Sequence, residues 1–595
     1  MPQGNPIGQL MYDVNDYLDD IIDAKWYAIL TPVKGLTLTQ KVNYFVDNAR
    51  THSLANGLYG QFRANGGQVM QVANRSMVTS LQSLANYTIT FNEIHTIAAL
   101  LGYESEDIRT EYVEGIGDNL YQPTVPFVNN TIDNKKGYGA YGELSHRGVF
   151  FQGKYTLMDR YYLMGSIRRD GSSRFAPGHR WGTFWSLSAG WDLAKEDFMM
   201  TARENWLDVF KFRASFGQTG NDRIGNSTFN QPWADFYQVT GADGVFSDGT
   251  LVQKGNPELT WEKSNSFNIG FDFSILKGKL TGTAEFFNRQ TDDMLFSLPV
   301  APSLGYSSIP SNVGSLRNNG FEVELTYTPI RNRNVNWEIF ANLTYGKNKV
   351  LKLAPEILNE KGEWVAGTYR RMREGHSMYE LYMPVYAGVD TDPESPTAGY
   401  AMYLALDDDG MEYKTADWSV ARTTNSKYTE DLSPDVYGGF GTRVTFFGVD
   451  LSIQCAYQLG GQLIDYGYMD LMGDGSSVGA WHKDVIGAWN PAANINSDIP
   501  MLITEGKYQY ANATSTRFLT SSDYLSINNI TLGYTLPNRW LNKLGIQSCR
   551  VYGAAENVAL FSARKGLDPR QGFLSSDNST YSPIRAISGG IQISF

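Results

Sequence analysis

The chain has 595 residues, a formal net charge of −12 and a sequence pI near 5.2. It therefore lacks the positive field that attracts nucleic acid or an anionic membrane surface, and electrostatic DNA binding is excluded. Aromatic residues make up 13% of the chain and charged residues 19%, below the roughly 25% charged residues of an ordinary soluble domain. This composition favours β-structure that is rich in aromatic contacts.

Cysteines, apolar runs and the start of the chain limit the class of protein further. Cys455 and Cys549 are the only cysteines, too few for a disulfide framework or a multi-cysteine metal site. The longest apolar runs, such as Ile97–Leu101, fall far short of the roughly 18 residues of a membrane-spanning helix. The start of the chain has no basic segment followed by an apolar core, so no secretory signal peptide is predicted. We therefore expect either a cytoplasmic protein or a chain whose beginning is missing.

Two stretches near the start carry apolar residues at helical spacing. Leu10, Val14 and Tyr17 have this spacing in "IGQLMYDVNDYLDD", and Val78 and Leu81 have it in "RSMVTSLQSLANY". These spacings predict short helices or helical turns within loops.

From about Trp26 onward, alternating segments of roughly ten residues recur along the chain. Pairs of these segments flank short turn sequences with Pro, Gly, Asp or Asn, which predicts β-hairpins. The predicted turns lie at Thr31–Gly35, Met158–Arg160, Leu276–Lys279 and Pro329–Asn334.

Much longer polar, Gly-rich stretches separate the hairpins, and loops of this length are uncommon inside compact domains. Short turns at one end and long loops at the other, around strands of roughly nine to eleven residues, are the arrangement of an outer-membrane β-barrel. We therefore predict an all-β, antiparallel transmembrane barrel. The long stretches are Gly220–Asn256, Arg289–Leu316, Gly346–Pro434, Gly460–Ser522 and Ala563–Pro583.

The predicted strand 320–328 has one apolar face and one polar face. Its apolar face carries Phe321, Val323, Leu325 and Tyr327, and Glu322 lies on the other face. A lipid-facing strand and a soluble β-sandwich both give this alternation, so one strand cannot distinguish them. Aromatic residues near predicted strand ends favour the barrel, because they would form interfacial girdles. They are Trp26, Tyr27, Tyr161, Tyr162, Phe286, Phe287, Trp337, Tyr345 and Tyr534.

The chain ends within an alternating pattern, "SGGIQISF". Ile591, Ile593 and Phe595 fall on one side of an extended chain, and Gln592 and Ser594 fall on the other. A strand that continues to the C-terminus is unlike the disordered tail of most soluble domains. We therefore predict a terminal strand in which Phe595 has a role of its own; the alternative is an ordinary edge strand.

Catalytic motifs are weak. "GSSVG", residues 475–479, fits Gly-x-Ser-x-Gly and lies near His482, but a nucleophile elbow needs a strand before it and a helix after it. Both flanks of Ser477 are loop-like. The six histidines lack the spacing of a catalytic zinc site. We therefore expect neither an enzyme nor a cofactor.

Several segments resemble the TonB-dependent outer-membrane transporters of the SusC/RagA-like family. The most specific is "RYYLMGSIRRDGSSRFAPGHRWGTFWSLSAGWDLAKEDFM", residues 160–199, where a strand, an Arg-Asp-Gly-Ser-Ser-Arg-Phe turn and a Trp-ending strand follow each other. Further segments resemble the family in the family's order. They are "FRASFGQTGN", "NPELTWEKSNSFNIGFDF", "NVGSLRNNGFEVEL" and "ENVALFSARKGLDPR".

This resemblance implies that residues 1–595 are the C-terminal portion of a 22-stranded barrel in the outer membrane of a Gram-negative bacterium of the Bacteroidota. Family members are longer, and their signal peptide, N-terminal β-sandwich, TonB-contacting segment and plug are not visible here. The first strands are also expected to be missing, which would leave the last strand without its neighbour. The implied partners are a SusD-like surface lipoprotein, the TonB-ExbB-ExbD energising complex and the outer-membrane assembly machinery. Phe595 resembles the C-terminal residue that this machinery reads.

Aromatic residues in the predicted extracellular loops are the candidate ligand-binding residues. Flat rings offer stacking surfaces for sugars, and the family implies uptake of an oligosaccharide or a peptide. The alternative is that these rings pack loop against loop or against the partner lipoprotein. The selected residues are Trp233, Tyr237, Trp481 and Trp489, and Phe236, Tyr379, Tyr382 and Tyr386 belong to the same group.

An acidic stretch at residues 404–423 only partly resembles an Asp-rich loop of the family. Asp407, Asp408, Asp409 and Glu412 lack the spacing of an EF-hand. A solvated acidic loop and a calcium site are both kept as interpretations.

Two functions remain open. The first is the barrel portion of an energised nutrient importer, and the second is a non-transporting barrel that serves as an adhesin or assembly scaffold. A plug and a TonB-contacting segment upstream would separate them, because import needs both.

Overall fold

The structure is a computed structural model that describes residues 6–224, 231–242, 245–473, 480–502, 510–541, 545–576 and 582–595. Its largest sheet has 17 strands. In chain order these are β1 Val14–Val33, β2 Leu36–Ala55, β3 Gln68–Phe91, β4 His95–Leu120, β5 Thr131–Leu157, β6 Tyr161–Ser172, β7 Trp181–Asp192, β8 Leu207–Asn221, β9 Glu262–Ile275, β10 Leu280–Asp292, β11 Ser315–Arg331, β12 Val335–Lys352, β13 Val436–Phe446, β14 Val449–Leu459, β15 Tyr524–Thr535, β16 Ser548–Ser562 and β17 Ala586–Ser594.

The chain divides into two compact units. Unit 1 comprises Met1–Gly190, Ser215–Ser266 and Thr291–Val313, and unit 2 comprises Trp191–Ala214, Phe267–Gln290 and Gly314–Phe595. In unit 1, β1 to β6 pair antiparallel, each with the next along the chain. In unit 2, β11 to β17 pair in the same way. Sequential antiparallel pairing places successive connections at alternate ends of the sheet.

The connections contain short helices and small sheets. The α-helices are α1 Pro6–Tyr12, α2 Met200–Asn205, α3 Trp418–Thr424, α4 Tyr466–Leu471 and α5 Asn538–Leu541. Short strands pair Phe236–Ala242 with Val245–Gln253, Leu295–Pro299 with Ser308–Asn312, Glu363–Val365 with Arg371–Arg373, and Tyr382–Met383 with Lys427–Tyr428. Two three-stranded sheets consist of Tyr386–Val389, Ala401–Leu406 and Glu412–Thr415, and of Gln462–Asp465, Leu519–Ser521 and Ser575–Ser576.

The helix predictions near the start are largely wrong. Only Pro6–Tyr12, which includes Leu10, is helical, and Val14 and Tyr17 lie in β1. Val78 and Leu81 lie inside β3, which pairs with β2 from Gln68 to Tyr87 and with β4 along its whole length. These two ladders satisfy the backbone of β3 on both edges, and such tertiary pairing overrides a weak local helical pattern.

The predicted hairpins and long connections are confirmed. The turn residues Lys34–Gly35, 158–160, 276–279 and 332–334 separate paired strands, and the longest connections are 222–261, 353–435 and 460–523. The predicted strand length is wrong, because strands such as β4 reach 26 residues. A strand of this length continues well beyond the apolar band of a membrane, which requires only about nine to eleven residues.

Strand length also corrects the positions of the aromatic residues. Tyr161, Trp337 and Tyr534 lie close to strand ends, as predicted. The other predicted girdle residues, apart from Tyr162, lie inside strands, because these strands are longer than predicted. Trp26 and Tyr27 are within β1, Phe286 and Phe287 within β10, and Tyr345 within β12.

The apolar face of β11 is exposed. Phe321 retains 45% of its surface and Tyr327 43%, and the next residues along the strand, Glu322 and Glu324, are exposed on the other face. A soluble sandwich buries its apolar face, so this exposure is the pattern of a strand with lipid on one side and water on the other.

Buried apolar clusters lie in the connections of each unit or between a connection and a strand. In unit 1, Phe175, Phe184, Leu259 and Trp261 pack together. In unit 2, one cluster includes Leu381, Met383, Leu432, Ile464 and Phe518, and a second is centred on Tyr403. The long connections are therefore packed bodies with cores of their own. Among the helices of the described residues, none has the length and apolar character needed to cross a membrane.

Candidate functional site

Two rows of polar side chains cross the strands of unit 1 on one face. In the first row, Lys41, Gln82, Glu104, Gly148 and Asp170 lie directly opposite one another on β2 to β6. Side chains that are directly opposite in antiparallel strands have Cβ atoms about 5 Å apart. The row therefore brings a cation, an amide and two carboxylates onto one surface.

The second row is the neighbouring one on the same face, two residues along each strand. It contains Asn43, Ser80, Glu106, His146 and Ser172, again in direct register on β2 to β6. We call the surface formed by the two rows the polar face of unit 1. Its residues come from five strands, and only the register of the sheet brings them together.

Arg168 on β6 organises the first row. Its Nη2 donates to Oε2 of Glu104 at 2.7 Å, and its Nε donates to Oδ1 of Asp170 at 2.6 Å. Gln82 Nε2 donates to the other oxygen of Glu104 at 2.5 Å, and the guanidinium stacks 5.0 Å from the centre of the Phe150 ring. Charge-assisted bonds and stacking fix the guanidinium plane, so these carboxylates are held in defined positions.

Asp222 joins the second row to the connection that follows β8. Its Oδ2 lies 2.7 Å from His146 Nε2, accepts from Ser172 Oγ at 2.6 Å and lies 3.9 Å from Arg174 Nε. Burial tends to raise the pKa of Asp222, but the bonds from His146 and Ser172 and the charge of Arg174 outweigh it. The pKa of Asp222 therefore lies below that of an ordinary aspartate.

The polar face lines a cavity of about 770 Å³ that lies within unit 1. Tyr27 and Trp261 contribute aromatic surface to its wall. Asn43 also lines it, and the Oδ1 atom of Asn43 is buried without a hydrogen-bond partner among the described residues. Charged side chains of both signs line the cavity: Lys25, Lys41 and Arg168, and Glu104, Glu106, Asp170 and Asp222.

These groups suit binding of a polar solute. They offer hydrogen-bond donors and acceptors of both charges beside aromatic surface, the usual composition of a site that orients a polar ligand. Among the described residues, no group of three or more His, Cys, Asp or Glu side chains is placed to hold a metal ion.

The two predicted binding residues of unit 1 differ in exposure. Trp233 is half-buried, and its Nε1 donates to the backbone oxygen of Ser173 at 3.3 Å. Tyr237 has 59% of its surface exposed. Trp261 makes a contact like that of Trp233, from its Nε1 to the backbone oxygen of Arg180 at 2.9 Å. Trp233 and Trp261 thus hold the 222–261 connection against residues 173–180, while Tyr237 presents its ring to solvent.

The two predicted binding residues of unit 2 also differ. Trp489 is 5% exposed, and its ring packs so closely against Gly399 that a Cβ there would lie 2.6 Å from ring atom Cε3. Trp481 remains 37% exposed. Trp489 therefore packs within the connections, as the alternative interpretation predicts, and the Trp481 ring is partly exposed.

The other loop aromatics make contacts within the connections. Tyr379 packs edge-on against Phe573, Tyr382 packs edge-on against Tyr428, and the hydroxyl of Tyr386 donates to the backbone oxygen of Asp498 at 2.8 Å. Burial raises the pKa of Tyr386, which therefore stays a hydrogen-bond donor at neutral pH. These three rings support the packed core of the long connections.

The acidic stretch forms a hairpin turn. Asp407 accepts backbone N–H bonds from Asp409 and Met411 at 3.0 and 2.8 Å, and Glu412 accepts from Asn425 and Lys427. Asp407 Oδ1 and Glu412 Oε2 therefore already have partners in the protein. Ser477 and the Gly-x-Ser-x-Gly sequence lie outside the described residues.

The C-terminal strand is confirmed up to Ser594. Phe595 follows it and is 81% exposed. Its role as an assembly signal stays a prediction.

Sequence reasoning missed the polar face. The polar residues alternate along β4, β5 and β6, which is a detectable signal, but their neighbours across the sheet depend on the register. The register in turn depends on the length of each connection. Neither the register nor the neighbours across the sheet can be deduced from the sequence of one strand.

Known proteins are similar to this chain over most of its length. Residues 4–558 match the family model described as "TonB dependent receptor-like, beta-barrel". TonB-dependent receptor P3 of Formosa agariphila is 25% identical over 637 residues, covering 99% of this chain and 60% of that protein. TonB-dependent receptor SusC of Bacteroides thetaiotaomicron is 27% identical over 506 residues, covering 78% of this chain and 47% of that protein.

Solved structures give the same fold. The RagAB peptide transporter matches with a TM-score of 0.85 at 24% identity, covering 98% of this chain and 63% of that chain. The RagAB peptide importer in its "open-open" state matches with a TM-score of 0.81 at 25% identity. The chain thus spans 47–63% of the length of these relatives. These matches and the antiparallel sheet confirm the predicted all-β, antiparallel barrel class, and the chain belongs to the TonB dependent receptor-like, beta-barrel family.

Proposed function

We propose that this chain is the barrel portion of an energised importer that carries an oligosaccharide or a peptide across the outer membrane. The polar face of unit 1 is the observation that carries the proposal. In an outer-membrane barrel the apolar face of the sheet contacts lipid and the polar face lines the lumen. A lumen wall with fixed charges of both signs and aromatic surface is suited to weak contacts with a polar solute that must enter and leave.

The proposal includes the partners implied by the family resemblance. A SusD-like surface lipoprotein would cover the long connections, and the TonB-ExbB-ExbD complex would supply energy through a part of the protein outside residues 1–595. The assembly machinery would insert the barrel, with Phe595 as part of its signal. Tyr237 and Trp481 are the loop aromatics that we propose contact the solute, because each keeps a ring exposed.

Variants of the polar face test the site. Glu104→Gln and Arg168→Gln each remove a charge from the Gln82–Glu104–Arg168–Asp170 network. In cells that express the intact protein, we expect each variant to lower the rate of solute uptake severalfold while surface abundance stays unchanged. Lys565→Gln, in the 563–585 connection of unit 2, is the control and should keep full uptake.

Uptake that is unchanged in both polar-face variants would contradict the proposed role of this face. An adhesin or scaffold predicts a different result. Attachment of cells to a surface would depend on the protein, and solute uptake would not depend on it.

A further inference from the structure

One face of β12 carries an unbroken apolar column. Trp337, Ile339, Ala341, Leu343 and Tyr345 lie on the same side of the strand, and the residues between them are Glu338, Phe340, Asn342 and Thr344. These eight steps extend about 26 Å along the strand at roughly 3.3 Å per residue. With the roughly 40° tilt of barrel strands, this is about 20 Å of height, close to the roughly 25 Å apolar band of outer-membrane barrels.

A stacked aromatic pair marks one end of this column. Tyr345 lies directly opposite Phe321 on β11, with ring centroids 5.2 Å apart. Trp337 lies at the other end, near the short turn between β11 and β12. Aromatic residues of this kind concentrate at membrane interfaces. The Phe321–Tyr345 pair therefore marks the interface on the side of the long 353–435 connection.

Basic residues continue the same face beyond the aromatic pair. Lys347 and Lys349 follow Tyr345 on β12, and Arg317 follows Phe321 on β11 after Asn319. Arg317 is directly opposite Lys349, and Asn319 is directly opposite Lys347. Like charges that are directly opposite in a sheet are destabilising unless an anion lies between or above them.

Neither Arg317 nor Lys349 has a carboxylate within ion-pair distance among the described residues. Arg317 donates from Nη2 to the amide oxygen of Gln290 at 3.1 Å, and its Nε is buried without a hydrogen-bond partner. Lys349 is exposed. Lys347, in contrast, contacts Asp435 at 2.5 Å. The Arg317–Lys349 pair is thus an uncompensated pair of cations.

Unit 1 shows the opposite arrangement at comparable positions. Arg109 and Arg147 lie on the face of β4 and β5 that also carries the exposed Tyr103 and Val149. Arg109 pairs with Glu143 at 3.2 Å, and Arg147 makes two bonds of 3.0 Å to Asp107. Cations on this outward face are therefore neutralised within the protein there, which makes the unpaired Arg317 and Lys349 unusual.

We propose that Arg317 and Lys349 bind a phosphate group of an anionic glycolipid in the outer leaflet, with acyl chains of that lipid on the apolar column of β12. This inference rests on the proposed outer-membrane setting, in which the long connections are extracellular. A guanidinium and an ammonium side by side suit phosphate oxygens, and their height, just beyond an aromatic interface pair, is that of a lipid head group. Charge complementarity thus selects a phosphorylated lipid as the occupant.

Lipid binding by the intact protein in neutral detergent tests this site. Bis-phosphorylated lipid A is titrated, and bound lipid is counted by native mass spectrometry. We expect Arg317→Gln/Lys349→Gln to bind lipid A about thirtyfold more weakly, the factor expected for two basic side chains beside an anionic lipid. Arg317→Lys/Lys349→Arg should restore binding, and Arg109→Gln, whose cation is already paired, should bind as the unmodified protein does.

Four results would overturn the proposal. In the first, the double Gln variant and the unmodified protein bind lipid A with equal affinity. In the second, the double Gln variant and Arg109→Gln lose the same amount of lipid A affinity. In the third, inorganic phosphate at the same concentration as lipid A displaces the lipid completely. In the fourth, the double Gln variant keeps its lipid binding but loses an acidic protein that co-purifies with the unmodified protein.

Solute uptake, measured in cells that express the same variants, is a separate readout. Loss of lipid binding with normal uptake leaves the proposed transport function intact, and absent uptake with normal lipid binding contradicts that function alone.

Discussion

The Nε2 atom of His146 on β5 lies 2.7 Å from Oδ2 of Asp222, the first residue after β8. The same oxygen accepts from Ser172 at the end of β6. One carboxylate therefore ties two strands of unit 1 to the start of the 222–261 connection. Because only 12% of the Asp222 side chain is exposed, these bonds are worth more than an exposed ion pair.

Asp222→Asn should loosen this junction in a pH-dependent way. The pKa of Asp222 is lowered in the fold, so its ionised form stabilises the fold above the ordinary aspartate pKa, and that contribution is lost as pH falls through the lowered value. At pH 7 we expect the variant to lose about 2 kcal/mol of local stability. Amide exchange at residues 172–176 should be faster in the variant at pH 7 and should converge with the unmodified protein as pH falls below the lowered pKa of Asp222. Glu258→Gln, an exposed carboxylate of the same unit, is the control.

Gly102 leaves space for the ring of Phe150, which lies directly opposite on β5. A Cβ at Gly102 would overlap this ring, and the ring supports the Arg168 guanidinium. We expect Gly102→Ala to cost about 1–3 kcal/mol through overpacking and to lower the thermal unfolding temperature. Gly153→Ala, where the nearest atom to the new Cβ is 3.6 Å away, should unfold at the original temperature. Equal unfolding temperatures for the two variants would contradict this role of Gly102.

Substitutions of Trp489 and Trp481 distinguish a ring that packs in the core of the connections from a ring that is free for ligand contact. Removing the buried Trp489 ring should cost about 3–5 kcal/mol, seen as rapid protease cleavage near Gly399 and Ile499, its neighbours in the fold. Trp481→Ala should leave the cleavage pattern unchanged because its ring is partly in solvent. Protease resistance of Trp489→Ala would show that this ring is not a core residue of the connections.

Arg564 neutralises a buried carboxylate in unit 2. Its Nε and Nη2 donate to Oδ2 of Asp465 at 3.0 and 2.5 Å, and Oδ1 of Asp465 accepts the backbone N–H of Tyr468 at the start of α4. Arg564→Gln would leave this carboxylate without its cation, which costs about 3–5 kcal/mol. Asp465→Asn/Arg564→Gln should be more stable than Arg564→Gln alone in thermal unfolding. Lys565→Gln should match the unmodified protein, and additive losses in the double variant would contradict the coupling.

Local sequence signals predicted much of the fold. The tight turn between β5 and β6, and the alternation of Phe321, Val323, Leu325 and Tyr327, depend only on neighbouring residues, and both were predicted correctly. Residues 75–87 were predicted to form a short helix or helical turn but belong to β3, because the ladders on both sides of β3 are long-range contacts. Strand ends were also misplaced, since many strands continue beyond the stretches in which apolar and polar residues alternate.

The candidate site was less predictable than the fold. Tyr237 and Trp489 have similar sequence surroundings of polar and small residues, but only packing within each connection decides that the first is exposed and the second buried. His146 and Asp222 are 76 residues apart, and no motif connects them. The polar face depends on register across five strands, a property of the whole sheet.

Energised uptake is the central claim, and one measurement tests it most directly. Cells that lack the gene are complemented with the intact protein and given a labelled oligosaccharide pool or a labelled peptide pool, with and without a protonophore. We predict accumulation of one pool that requires both the protein and the proton gradient, and that falls in Glu104→Gln. Equal accumulation with and without the protein, for both pools, would contradict the account.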